Sequence, residues 1–377
     1  MVRIISVLCI FFALFLPCFD VSAQESELLP EEYEDMLDSL PNDIANMLPD
    51  AIFSDNIDEI ADGTKELTSW EYLFDTFFDL LGLNVKKILS SLAIIVGLLV
   101  LCSVLNMLKN SINNPTTEHV INLVTAMALV LTVLQISQEP LQNAMMLLEE
   151  IKVFTNTISP VICTIYAMGG NVTSALVHNY GLIVFLSILE NICVISLEMI
   201  LGVCMGLTLA SSFIGESNIL PLSNAIKKAF TFFIGMIMLL FTTVISTQTL
   251  LASKADTFTS KTAKMLASKM IPVVGGTIGE TLRTAGASIE YLRSNVGVLL
   301  IVILLLMILP TFISIALYRL GFTISNAIAG LLGCEREGKV LLEMSSIYGY
   351  VLAIISICAI TLLLLITVFA KCSSPLI

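Results

Sequence analysis

Long apolar runs separated by short polar joints recur from Ile88 to Ala370. Ile88–Leu108, Val120–Ile136, Ala229–Leu250, Val296–Tyr318 and Ile347–Ala370 each approach the ~20 residues that cross a ~30 Å hydrocarbon core as a helix. Leu176–Phe213 is too long for one crossing and predicts a helical hairpin, turning between Glu190-Asn191 and Glu198. The pattern thus predicts an all-α polytopic membrane protein with about seven transmembrane helices. Pro310 predicts a kink, because proline lacks an amide hydrogen and its ring meets the carbonyl four residues back. A Gly-bounded apolar piece, Leu320–Gly333, and the polar segment Cys334–Lys339 precede the last span.

Two shorter stretches predict re-entrant segments. In the first, an amphipathic stretch opened by Pro140 sets Leu141, Met145, Leu148 and Ile151 opposite Glu149 and Glu150, and leads to Pro160 and then Gly169-Gly170. In the second, a basic amphipathic segment carrying Lys254, Lys261, Lys264 and Lys269 leads to Pro272 and then Gly275-Gly276. Proline followed by paired glycine disfavours a continuous helix and points to backbone exposed to a cavity or partner. These six residues are the candidate path-lining or hinge positions. A shift of 112 residues superposes the two prolines and lays Val120–Ile136 onto Ala229–Leu250, a possible inverted repeat.

Upstream the pattern changes. Residues 1–23 read as a signal peptide, with Arg3, an apolar run from Ile4 to Leu16, and Val21-Ser22-Ala23 ahead of an expected cleavage site. Residues 24–84 form an acidic module of short helices punctuated by Pro30, Pro41, Pro49 and Gly63, with seventeen Asp and Glu against one Lys up to Leu83. Its apolar positions recur at helical spacing, but so short a module builds a thin core and leans on a membrane or partner. It is expected to be extracytoplasmic, and residues 85–377 to form the transmembrane domain. With the N-terminus outside and seven spans, Lys254–Arg293, with six basic and three acidic residues, falls in the cytoplasm together with Lys371. Lys86-Lys87 and Lys227-Lys228 run against that bias.

Composition agrees: 56% of residues are hydrophobic, 13% charged, and mean hydropathy is +0.94. The acidic balance, net −13, argues against nucleic-acid binding. Of nine cysteines none lies in the acidic module, so no disulfide framework exists there, and those in apolar runs read as small packing residues. Only two histidines occur, and no nucleotide, zinc-protease or nucleophile-elbow motif, so neither an enzyme nor a cofactor is expected. Glu190 and Glu198 are the intramembrane carboxylates. Such groups often mark an ion or substrate path, although here they also suit a hairpin turn at the interface.

Thr262-Ala263-Lys264, then Ile271-Pro272-Val273-Val274-Gly275-Gly276, then Asn295-Val296-Gly297 before a long apolar span with Pro310, together resemble the stage III sporulation protein AE family. Trp70 in an aromatic amphipathic helix, and Gly169-Gly170 followed by Ser174-Ala175, add to the likeness, which covers Ser69 to the C-terminus. The resemblance implies a multi-pass protein of the mother-cell membrane surrounding the forespore. It implies as partners the other stage III sporulation A-operon proteins and stage II sporulation protein Q, in a channel or feeding-tube-like apparatus. Within it the chain is expected to act as conduit or export-gate-like subunit, with a non-conducting assembly platform or a secondary transporter as alternatives. The family carries no catalytic residues over to this chain.

Overall fold

The computed structural model describes residues 31–54, 56–111, 115–168, 183–214, most of 221–247, and 275–371, and among these it is helical with no strand. Short helices α1 (Glu31–Asp38), α2 (Asn42–Ala45) and α3 (Ile57–Leu67), with a 3-10 turn at Asp50–Phe53, form a cap. Long helices follow: α4 (Trp70–Ser111), α5 (Pro115–Met168), α6 (Ile183–Ile214), α7 (221–237), α8 (Gly275–Leu331) and α9 (Glu335–Lys371). Of these, α4, α5, α6, α8 and α9 are long and apolar enough to cross a membrane.

Local chemistry explains the cap. The Asn56 side chain accepts from the Asp58 amide at 2.9 Å, capping α3, whose first turn carries Asp58 and Glu59 and whose last carries Lys65. Tyr33, Met36, Ile52, Ile60 and Leu67 are buried together, and the Tyr33 hydroxyl donates to the Ile52 carbonyl at 3.1 Å. That burial holds the Tyr33 phenol above its ordinary pKa. The thin core leans, as its size requires, on the bundle. Thr164 donates to Glu32 at 3.1 Å, Tyr291 to Asp58 at 3.4 Å, and Tyr72 to the Met47 carbonyl at 2.8 Å. The expected module limit at residue 84 falls inside α4, which runs unbroken from the cap into the first apolar run.

The core is the antiparallel pair α8 and α9. Gly297 lets them cross closely, since a Cβ there would stand 2.6 Å from the Ala370 Cβ. The turn between them is a Schellman cap. Gly333 takes φ 71°, the Cys334 amide donates to the Ala329 carbonyl at 2.9 Å, and the Gly333 amide to Gly330 at 3.3 Å. Thus the apolar piece ending at Gly333 is the last part of α8, and most of the polar segment after it is the first turn of α9.

Side-chain pairs fix the helix directions. Lys87 meets Glu139, Thr155 meets Glu190, Ser196 meets Tyr350, and Lys227 meets Glu343. Six helices therefore alternate between an end bearing the cap and an end bearing the α8–α9 turn. This arrangement bears on four expectations. The hairpin over residues 176–213 is, where described, one helix: Thr155 on α5 donates a hydrogen bond to Glu190, and the chain does not turn there. Among the described residues five helices are long and apolar enough to cross a membrane, against the seven expected for the whole chain. Tyr291 bonds Asp58 of the cap and Gly297 abuts Ala370, so Arg293 and Ala370 lie at the cap end of the bundle, where the expected topology set them opposite the acidic module. Finally, α5 and α7 run the same way, so a repeat relating them is parallel rather than inverted.

Pro160 lies inside α5, as Pro140 does, without ending the helix. Gly275 and Gly276 are the first helical residues of α8. Gly169, Gly170, Pro272, the signal peptide and Lys254–Lys269 lie outside the described residues.

Candidate intramembrane polar site

On α7, Ser223 and Lys227 stand one helical turn apart, and on α9 Glu343 and Ser346 do likewise, so the two helices meet through four polar groups. Lys227 donates to Glu343 at 2.5 Å and to Ser346 at 2.7 Å, Ser223 also donates to Glu343, and Ser346 reaches Asn224 at 3.1 Å. The Lys227 and Glu343 side chains are only 6% and 4% exposed. Such a pair is tolerated in an apolar bundle because each charge neutralises the other and the hydroxyls supply further hydrogen bonds. Sequence reading missed this site and treated Lys227-Lys228 merely as charge on the wrong side. The legible signal was the i, i+4 spacing of Ser223 and Lys227 beside an apolar run.

Glu190 is the second buried charge. Thr155 donates to its Oε1 at 2.6 Å, and its Oε2 has no hydrogen-bond partner among the described residues. Lys152, one turn from Thr155 on the same helix, reaches Asn191 at 2.8 Å. Glu198 is exposed on α6 and does not join this group. The two intramembrane carboxylates therefore separate: Glu190 is held in a built environment, and Glu198 is not.

A third feature joins α4, α5 and α8. Lys87 and Glu139 pair at 2.5 Å over a cavity of about 120 Å³ lined by Asn84, Asn143, Thr311, Ser314, Tyr318 and the two helix prolines Pro140 and Pro310. Each proline leaves a backbone carbonyl without its helix hydrogen bond. A polar cavity is the place where membrane helices tolerate that loss. Toward the cap, Arg293 is 1% exposed with its guanidinium 5.9 Å from the Tyr166 ring centre, a cation–π contact. Among the described residues no cluster of His, Cys, Asp and Glu could hold a metal ion.

An all-helical, alternating bundle with charges paired inside it defines a polytopic membrane protein. The sequence signature of the family described as Stage III sporulation protein AE matches residues 52–373, and the chain belongs to that family. A Stage III sporulation protein AE of Bacillus subtilis (strain 168) is 23% identical over 249 residues, covering 66% of this chain and 62% of that relative. The match thus spans less than two thirds of the relative's length. No solved structure matches the chain.

Proposed function

We propose that this chain is the membrane conduit subunit of an apparatus through which the mother cell supports the forespore. Family membership supports a role in sporulation, and the partners are the other stage III sporulation A-operon proteins with stage II sporulation protein Q on the forespore side. The mother-cell membrane around the forespore is its site, and it acts without catalysis or cofactor. The observation that carries the conduit reading is the set of charged and hydrogen-bonding groups built into the apolar bundle. A scaffold that only packs against partners is served by apolar contacts, whereas groups such as Lys227–Glu343 and Glu190 are costly to hold and commonly mark a path. The cap, a folded surface at one end, favours the platform as second reading.

The test is the pair Lys227→Met with Glu343→Leu, which replaces the buried charges by apolar bulk. A conduit loses sporulation while the protein level and partner co-purification stay normal. Normal sporulation, or sporulation lost together with the partners at normal protein level, refutes the conduit reading.

A further inference from the structure

Between the two sites of buried charge, α6 and α9 share a line of side chains that can give and take a proton. Glu190, Cys193 and Ser196 follow at steps of three residues on α6 and so lie near one face of that helix. Tyr350 of α9 donates to Ser196 at 3.2 Å, and Ser196 donates to the Cys193 carbonyl at 2.9 Å. One turn from Tyr350 on α9, Ser346 accepts from Lys227 at 2.7 Å. Toward the cap, Cys358 of α9 shares a hydrogen bond with Cys193 and lies within reach of the Glu190 charge. Toward the α8–α9 turn, Cys204 of α6 bonds Ser223, the hydroxyl that donates to Glu343. Glu190, Cys193, Ser196, Cys204, Tyr350 and Cys358 are each at most 4% exposed.

Glu343 and Cys358 stand about 22 Å apart along α9 at the helical rise of 1.5 Å per residue, most of the ~30 Å thickness of a hydrocarbon core. The step from Lys227 to Tyr350 borders a cavity of about 450 Å³ between α7 and α9, where Asn224, Thr231 and Ser346 also face it. A cavity of that size with several polar groups holds water. At the other end the line comes to the surface, because Asn191, next to Glu190, is exposed and accepts from Lys152 at 2.8 Å. Between these ends it is packed shut. Ile354, which separates Tyr350 from Cys358 on α9, and Leu197 of α6 are fully buried, so no solute passes there. A proton needs no opening, only groups that give one hydrogen as they accept another, and phenol, hydroxyl and thiol all do so. Glu190 offers the acceptor, since its Oε2 is buried and without a hydrogen-bond partner among the described residues.

We propose that this line is a proton relay between the Lys227–Glu343 pair and Glu190, running through the protomer along α6 and α9. The proposal rests on the conduit reading and names what the buried charges carry. A proton arriving at Glu343 forms the neutral acid and leaves the Lys227 ammonium without its counter-charge. Lys227 then gives a proton to water in the cavity. That water passes one to Tyr350 as Tyr350 gives its own to Ser196, and Ser196 and Cys193 do likewise, so no hydroxyl or thiol is left charged. The proton comes to rest on Glu190 as a carboxylic acid and leaves toward Asn191 and Lys152 when that group ionises. The proton held by Glu343 moves to Lys227 and restores the pair. One proton has then crossed, and every side chain carries the protons it began with.

The experiment places the purified full chain in phospholipid vesicles holding a pH-sensitive dye and imposes a potassium diffusion potential with valinomycin. The wild-type chain is expected to raise proton entry several-fold above protein-free vesicles. Tyr350→Phe, Ser196→Ala and Glu190→Gln are expected to return it to the protein-free rate. Ser356→Ala, which removes another buried hydroxyl of α9, one bonded to the Leu352 carbonyl of the same helix, is expected to leave it unchanged. Helix content is measured on each sample, and Tyr350→Phe, which keeps the ring and removes one atom, carries the test if the others unfold. Wild-type vesicles as tight to protons as protein-free ones overturn the proposal. So does wild-type flux in Tyr350→Phe, and so does an equal loss in Ser356→Ala, which makes the effect one of packing. Release of trapped glucose alongside the protons shows an open pore and overturns it too. If Tyr350→Phe stops the flux yet sporulates normally, the relay stands and the conduit reading, which needs these groups, fails. If wild-type vesicles are tight while Lys227→Met with Glu343→Leu loses sporulation with its partners still bound, the conduit reading stands and the relay falls.

Discussion

Removing one partner of the Lys227–Glu343 pair should destabilise the bundle far more than removing both. In Glu343→Gln the ammonium of Lys227 remains among Ser223, Ser346 and the apolar wall with no counter-charge. In Lys227→Met the carboxylate keeps only Ser223 as a hydrogen-bond donor among the described residues. Each side chain is at most 6% exposed, so solvent screens the pair little. Breaking a buried pair from one side costs about 3–5 kcal/mol, whereas replacing both members by apolar residues of similar volume is often neutral or stabilising by about 1–4 kcal/mol. We therefore expect both single variants to unfold well below the wild-type chain and the Lys227→Met, Glu343→Leu double variant to regain most of that loss. The assay is thermal unfolding of the detergent-purified full chain, followed by helix content, with the three variants and the wild type forming a double-mutant cycle. Additive losses, with the double variant the least stable of the four, refute the claim that the two charges face one another inside the bundle. The Glu343→Gln variant also retains two side-chain acceptor or donor groups, so a wild-type melting point there would show that charge at this position contributes nothing.

Gly297→Val should destabilise the α8–α9 crossing by about 1–3 kcal/mol, because an added side chain meets the Ala370 Cβ at 2.6 Å and forces the helices apart; unchanged thermal unfolding would contradict that contact. Tyr33→Phe should weaken the cap by about 1 kcal/mol through loss of the bond to the Ile52 carbonyl. Because burial raises the folded pKa of Tyr33, its contribution is complete below the unfolded value of about 10 and is lost as pH rises through the folded value. Thermal unfolding followed by helix content should thus show the wild type losing stability in alkali, with a weaker pH dependence in the Phe variant. Gly275→Leu with Gly276→Leu should be tolerated, since both residues are helical and glycine costs a helix about 1 kcal/mol relative to alanine; loss of sporulation at normal protein level would restore the idea of a functional break.

Much of this protein follows from one-dimensional chemistry. Runs of Leu, Ile and Val long enough for a bilayer determine helices, because only a helix satisfies every backbone group within its own segment. Pro41, Asn56 and Gly333 stand where helices start or stop, for reasons of cap geometry that are local to a few residues. The family was likewise legible from motifs in order. What hydropathy could not decide was whether an interruption ends a helix. Pro140, Pro160 and Glu190 all read as breaks, yet each sits within a continuous helix. For Glu190 the reason is visible: Thr155, on another helix, supplies the hydrogen bond that makes the carboxylate tolerable. Reading that one helix as a hairpin also misplaced Arg293 and the end of α9 relative to the cap, since a single extra crossing reverses everything after it. Lys227 was misjudged for the same reason. Its partner Glu343 is remote in the chain, so only the packing of α7 on α9 turns two costly charges into one neutral pair.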